Sequence, residues 1–124
     1  MEMQIINLKD VPVDVKENTH GFIGGKVYGQ FIINEKQGAK VAHLGLVKFA
    51  PGARNKFHSH KNEEIMVIVE GKGIVATKEK EYVCTPGMIV FLPPGLVHWH
   101  GATKDSTFAH YVVVCQPNDM KMEE

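Results

Sequence analysis

The sequence predicts an all-β domain, built as an antiparallel sandwich or barrel. Three observations carry that expectation. Apolar residues gather in short runs rich in β-branched and aromatic side chains. Gly and Pro interrupt those runs with recognisable turn chemistry. No stretch shows the strong apolar period of an amphipathic helix.

In chain order, Gln4–Leu8 is a short strand candidate, followed by a polar stretch to His20, so residues 1–20 read as an N-terminal arm. Gly24-Gly25 reads as a turn, since no phosphate-binding context surrounds it. Val27–Asn34, Val41–Ala50, Glu64–Val69, Gly73–Thr77, Met88–Leu92 and Thr107–Cys115 are the main strand candidates. Pro51-Gly52 fits the centre of a type II turn, Pro presetting φ and Gly accepting a positive one. Glu70-Gly71-Lys72-Gly73 suits a tight hairpin and Thr85-Pro86-Gly87 another turn, while Pro93-Pro94-Gly95 stops the strand before it. A single domain, residues 1–124, is expected to have its barrel core over about residues 36–116 and a frayed tail at Asn118–Glu124.

A chain of 124 residues fits one domain and can bury a core without disulfides. Cys84 and Cys115 are therefore expected to be reduced, structural thiols. Lys plus Arg and Asp plus Glu are 14 each, so the net charge is zero. With Arg54 the lone arginine, nothing is available to neutralise a phosphate backbone, and nucleic acid is not an expected partner. The longer apolar runs, such as Ile65–Val69 and Met88–Leu92, fall far short of the ~20 residues of a spanning helix, so no membrane partner is expected. The N-terminus lacks a basic-then-apolar leader, and a cytoplasmic protein is the expectation.

Seven histidines are the unusual feature, four of them in two pairs, His58/His60 and His98/His100. In a strand, residues two apart face the same way, ~7 Å apart. His58 and His60 can thus converge on a metal, and Glu64 opens the next strand, which an antiparallel turn brings back beside them. A third imidazole has to come from elsewhere in the chain, and His98 follows a turn where a strand re-enters the barrel. Imidazoles and a carboxylate suit Mn, Fe, Ni, Co or Zn, and the absence of thiolate argues against a structural zinc site.

The full spacing goes further. Gly52-x5-His58-x-His60-x3-Glu64-x6-Gly71 matches the first motif of the cupin superfamily at every defined position. Gly87-x5-Pro93-x-Gly95-x2-His98 matches the second motif up to its final Asn, where this chain has Ala102. The chain therefore resembles a cupin over residues 52–102, and strand patterning extends the likeness. The resemblance implies a double-stranded β-helix, the cupin jelly-roll barrel of six to eight strands. It implies one divalent transition metal per chain on His58, His60, Glu64 and His98. The segments from His43 to Arg54 and from His98 to Thr103 are similar to small cupins found beside, or fused to, carboxymuconolactone decarboxylase-type proteins, although that branch often has Gln where this chain has Glu64. The superfamily spans dioxygenases, decarboxylases, isomerases and binding proteins, so the reaction does not follow from the fold.

Other residues are candidates by strand phase. His100 is in phase with His98 and is either an acid or base for the site or a cap on the barrel mouth. His110 and His43 lie mid-strand and read as core histidines or as supports for a ligand. Met66 and Ile68 continue the phase of Glu64 as pocket-lining residues, and Tyr28 and Phe31 are further pocket candidates. Lys56, in phase with His58, can meet a substrate carboxylate at the mouth. Trp99 and Phe57 have the opposite phase and are expected to pack between sheets or at an interface. The expectation is a metal-dependent cupin, an enzyme on a small carboxylated or phenolic molecule or else a non-catalytic binding module. An apolar outer face and an exposed edge add a homodimer to it.

Overall fold

The computed structural model describes all residues, Met1 to Glu124. Two antiparallel sheets pack face to face as a jelly-roll barrel. The six-stranded sheet is built from β1 (Asp14–Glu17), β3 (Lys26–Ile33), β4 (Ala42–Phe49), β7 (Glu64–Gly71), β10 (Ile89–Leu92) and β12 (Phe108–Cys115), in the order β1-β3-β4-β12-β7-β10. The five-stranded sheet takes β2 (Phe22–Ile23), β5 (Arg54–Asn55), β8 (Gly73–Ala76), β9 (Glu81–Cys84) and β11 (Trp99–Ala102), in the order β2-β5-β11-β8-β9. A two-stranded ribbon joins β6 (His58–Ser59) to β13 (Lys121–Met122).

Alternation along the long strands fills the space between the sheets. Phe49, Met66, Ile68 and Phe108 point inward and are buried. Each such side chain contributes about 1.5–3 kcal/mol of burial. Phe108→Ala is the change that most directly opens this core, at about 3–5 kcal/mol. β12 sits between β4 and β7, and its ladder shifts register at Ala109/His110, where a bulge interrupts the pairing with β7.

Pro51-Gly52 forms the expected type II turn: the Ala53 N–H donates to the Ala50 carbonyl at 2.9 Å and Gly52 has φ +79°. Three expectations change. Glu70–Gly73 is not a hairpin. The chain leaves β7, paired with β12, and enters β8, paired with β11, so it turns a corner from one sheet to the other. Gly71 makes the corner possible with φ +72°, and a Cβ there would strike the Thr107 carbonyl. Gln4–Leu8 forms no strand; a single turn of 3-10 helix at Leu8–Asp10 follows, and the edge strand is the polar Asp14–Glu17. The C-terminal residues expected to fray are paired instead: Lys121 lies opposite Ser59 and Met122 opposite His58. Both cysteines are free, and no helix is long and apolar enough to cross a membrane.

Candidate metal centre

The five-stranded sheet and the β6 ribbon bring distant histidines together through backbone pairing. His58 and His98 are directly opposed in an antiparallel bridge, each N–H donating to the other's carbonyl at 2.9 Å. Opposed residues face the same side, so their rings lie 4.4 Å apart, centroid to centroid. His60, two residues on, places its ring 4.9 Å from that of His58 and 5.6 Å from that of His98. Glu64 opens β7 with its carboxylate buried, and its Oε2 stands 2.8 Å from His60 Nε2. Two overlapping groups result, His58/His60/His98 and Glu64/His98/His100, each with ligand atoms within 4.8 Å of one another.

The other nitrogen of each ring is already engaged. His58 Nδ1 donates to the Lys56 carbonyl at 2.7 Å and His98 Nδ1 to the Leu96 carbonyl at 2.9 Å. His60 Nδ1 donates to Asn118 Oδ1. A carbonyl can only accept, so the proton of a neutral ring is fixed on Nδ1 and the Nε2 lone pair is left for the cluster. His98 Nε2 is buried with no hydrogen-bond partner, and Glu64 Oε2, although close to His60 Nε2, makes no well-directed hydrogen bond. A buried carboxylate facing imidazole nitrogens is stabilised by positive charge, which a proton on His60 or a bound cation can supply. The donor set thus fits a divalent transition metal.

Electrostatics agree. Burial holds His58 down at a pKa of about 4, against the hydrogen bond from its ring to Lys56. Burial lowers His98 as well. Both rings are therefore neutral at neutral pH, the form that binds metal. Burial disfavours charge on His60 too, but the Glu64 carboxylate beside it wins and raises its pKa. Burial would push Glu64 up, and the His60 contact outweighs it, so the carboxyl stays ionised.

His100 sits against this cluster with Nε2 3.9 Å from Glu64 Oε1. Its partner is Asn55 on β5, whose Oδ1 accepts the His100 backbone N–H at 2.8 Å and whose Nδ2 donates to His100 Nε2 at 3.2 Å. Complete burial drives the His100 pKa well below its ordinary value. His110 is fully buried; its ring lies edge-on to that of His100 at 5.0 Å, and neither ring nitrogen has a hydrogen-bond partner.

The remaining candidates are spread out. Met66 and Ile68 face inward in the closed core. Phe31 and His43 line a cavity of about 320 Å³ against β3, β4 and β12, and His43 Nε2 donates to the Ala39 carbonyl. Tyr28 pairs with Lys48 and lies with it along surface grooves outside the barrel, away from the cluster. Lys56 supports His58 through its backbone carbonyl. Trp99 packs under the Arg54 guanidinium, 4.1 Å above its ring. Sequence reasoning missed Asn55 and Asn118. No sequence signal marked Asn55, whose burial and place in β5 only the structure shows. None marked Asn118.

A family model described as the cupin domain matches residues 45–115. Among characterised proteins, an (R)-mandelonitrile lyase of Granulicella tundricola is 35% identical over 69 residues, 54% of this chain and 52% of that protein, so the match spans about half the relative's length. A cupin-like protein of Thermotoga maritima superposes with a TM-score of 0.79 at 26% identity over 98% of this chain and 89% of its own. The polyketide cyclase RemF of Streptomyces resistomycificus superposes with a TM-score of 0.85 at 19% identity over 99% of this chain and 87% of its own, a likeness of fold.

Proposed function

We propose that this chain, which belongs to the cupin family, is a metal-dependent small-molecule cupin. One divalent transition metal (Mn, Fe, Ni, Co or Zn) is held by Nε2 of His58, His60 and His98 with the Glu64 carboxylate, and the substrate is a small carboxylated or phenolic molecule. The observation that carries this reading is the clustering of three rings, each with Nδ1 engaged, around a buried carboxylate, with His98 Nε2 left without a partner. Bound there, the metal supplies Lewis acidity toward a substrate oxygen. The lyase and cyclase among the similar proteins support small-molecule chemistry.

Lys56, Leu96 and Asn118 hold the three rings, and Glu64 supplies the compensating negative charge. His100 is the acid or base candidate. It rests neutral, with Asn55 donating to Nε2, so a proton arriving there has to displace that amide. This engagement favours a second reading, a non-catalytic metal-bearing binding module in which His100 and Asn55 brace the cluster. A homodimer is part of the proposal, because Ile65, Val69, Ile89 and Phe91 are exposed together on the outer face of β7 and β10. Product formation from a panel of small carboxylates, phenols and lactones, with each metal loaded in turn, is the test. In the enzyme, His100→Ala keeps its metal and loses turnover by about 10²–10⁴-fold. Tight ligand binding with no product under any metal leaves the binding module.

A further inference from the structure

Two cavities differ in chemistry and in their relation to the histidine cluster. The one against β3, β4 and β12 carries Asp14 and Lys16 and the amides of Gln30, Gln116 and Asn118, and no cluster residue lines it. The other, about 530 Å³, lies where the edge strands β9 and β10 face each other across the barrel. Eleven of its thirteen lining residues are hydrophobic, none is charged, and His98 forms part of its wall.

Strand register explains why this cleft meets the cluster. Val75 is paired with His100 on one side and Tyr82 on the other, so the three form one row across the five-stranded sheet. Leu92 is paired with Glu64 and Val90 with Met66 across the facing sheet. Val75 and Leu92 thus carry the cleft up to the cluster, while Ile89 and Phe91, exposed on the outer face of β10, line its solvent side. Polar capacity there is small. Thr77 Oγ1 already accepts from the backbone N–H groups of Glu79 and Lys80. Among the wall residues that leaves the Thr77 O–H as a donor, Tyr82 at the exposed mouth, and His98, whose partnerless Nε2 is the nitrogen assigned to the metal.

We propose that the β9–β10 cleft takes the apolar body of the ligand, and that the ligand is an uncharged ring or chain bearing one oxygen-containing head that reaches the metal beside His98. This rests on the metal reading above and narrows its substrate class. A sugar or polycarboxylate would shed its hydration in this cleft and find few replacement partners. A body of one or two rings fits a cavity of this size and gains from apolar walls.

Acetohydroxamate and benzohydroxamate test it, because they share a chelating head and differ in the body. On nickel-loaded protein, where four protein ligands leave two octahedral positions, benzohydroxamate is expected to bind about tenfold tighter or more, the phenyl being buried where the methyl is not. Val90→Phe, which fills the cleft, reduces the preference to about threefold or less with acetohydroxamate affinity kept. Tyr82→Glu at the solvent-exposed mouth does the same without threatening the core. Equal affinities in the unaltered protein, or a preference that survives both variants, overturns the proposal. Should neither hydroxamate bind, the metal reading fails separately and benzyl alcohol decides: methyl shifts at Val75, Val90 and Leu92 uphold the cleft, and their absence overturns it.

Discussion

The two ends of the chain reverse what their composition suggests. Gln4–Leu8 has the apolar residues of a strand and lies without one, with Ile5 exposed. Asn118–Glu124 is polar and charged, yet it is tied down at both ends. Its Asn118 carbonyl accepts from Lys61 and its side chain from His60, Glu123 donates to the Phe57 carbonyl, and Glu124 accepts from Arg54 and the Phe57 N–H. The lesson is that a terminus is ordered by the backbone groups it can satisfy, not by its own hydrophobicity. The segment His58–Lys61 has unpaired groups to offer, and the C-terminus fills them. The family match ends at Cys115, so this clasp on His60 lies beyond the residues that the family model covers.

Acid gives the largest expected effect, and it falls on the clasped region. His58 and His110 titrate near a pKa of about 4 in the fold, and His98 and His100 are also lowered, against an ordinary 6.5. The unfolded chain therefore binds more protons between those values. Metal-free protein keeps this stability above pH 6.5 and loses it as pH falls toward 4, and the lowered Glu64 adds loss in the same direction. Raised His60 acts oppositely, its contribution fading as pH rises through its folded value. Thermal melts from pH 8 to 4 check this; a melting temperature that rises toward pH 4 contradicts it.

Removing residues 118–124 comes next. Metal affinity is expected to fall by about 10–100-fold, because the His60 ring loses its acceptor and β6 its partner. Asn118→Ala isolates the ring contact at about tenfold, measured by competition with a chelator. Trimming residues 1–6 is the smallest change, within about 0.5 kcal/mol in denaturant unfolding, since Gln4 makes a single hydrogen bond to the Gln37 carbonyl. A trimmed N-terminus that weakens metal binding as much as the C-terminal deletion would erase the contrast.

The long strands were legible because runs such as Glu64–Gly71 and Phe108–Cys115 carry their period and β-branched content openly. Asp14–Glu17, Arg54–Asn55 and Lys121–Met122 were not, being short, polar and dependent on partners far along the chain. The same turn residues, Gly71 and Gly73, serve a hairpin or a sheet-crossing corner, and only the pairing of β8 with β11 distinguishes them. At the site, two-residue spacing brought His58 and His60 onto one face, and family spacing joined Glu64 and His98 to them. Asn55 and Asn118 stayed hidden because each acts on a histidine 45 or 58 residues away.

The proposed metal centre places one ion on His58, His60, Glu64 and His98. Elemental analysis of freshly purified protein, made without added metal or a histidine tag, tests it most directly when set beside the His58→Ala/His98→Ala variant. About one divalent transition metal per folded chain is expected, and almost none in the variant, whose fold is checked by circular dichroism. Full metal occupancy in a folded double variant would contradict it.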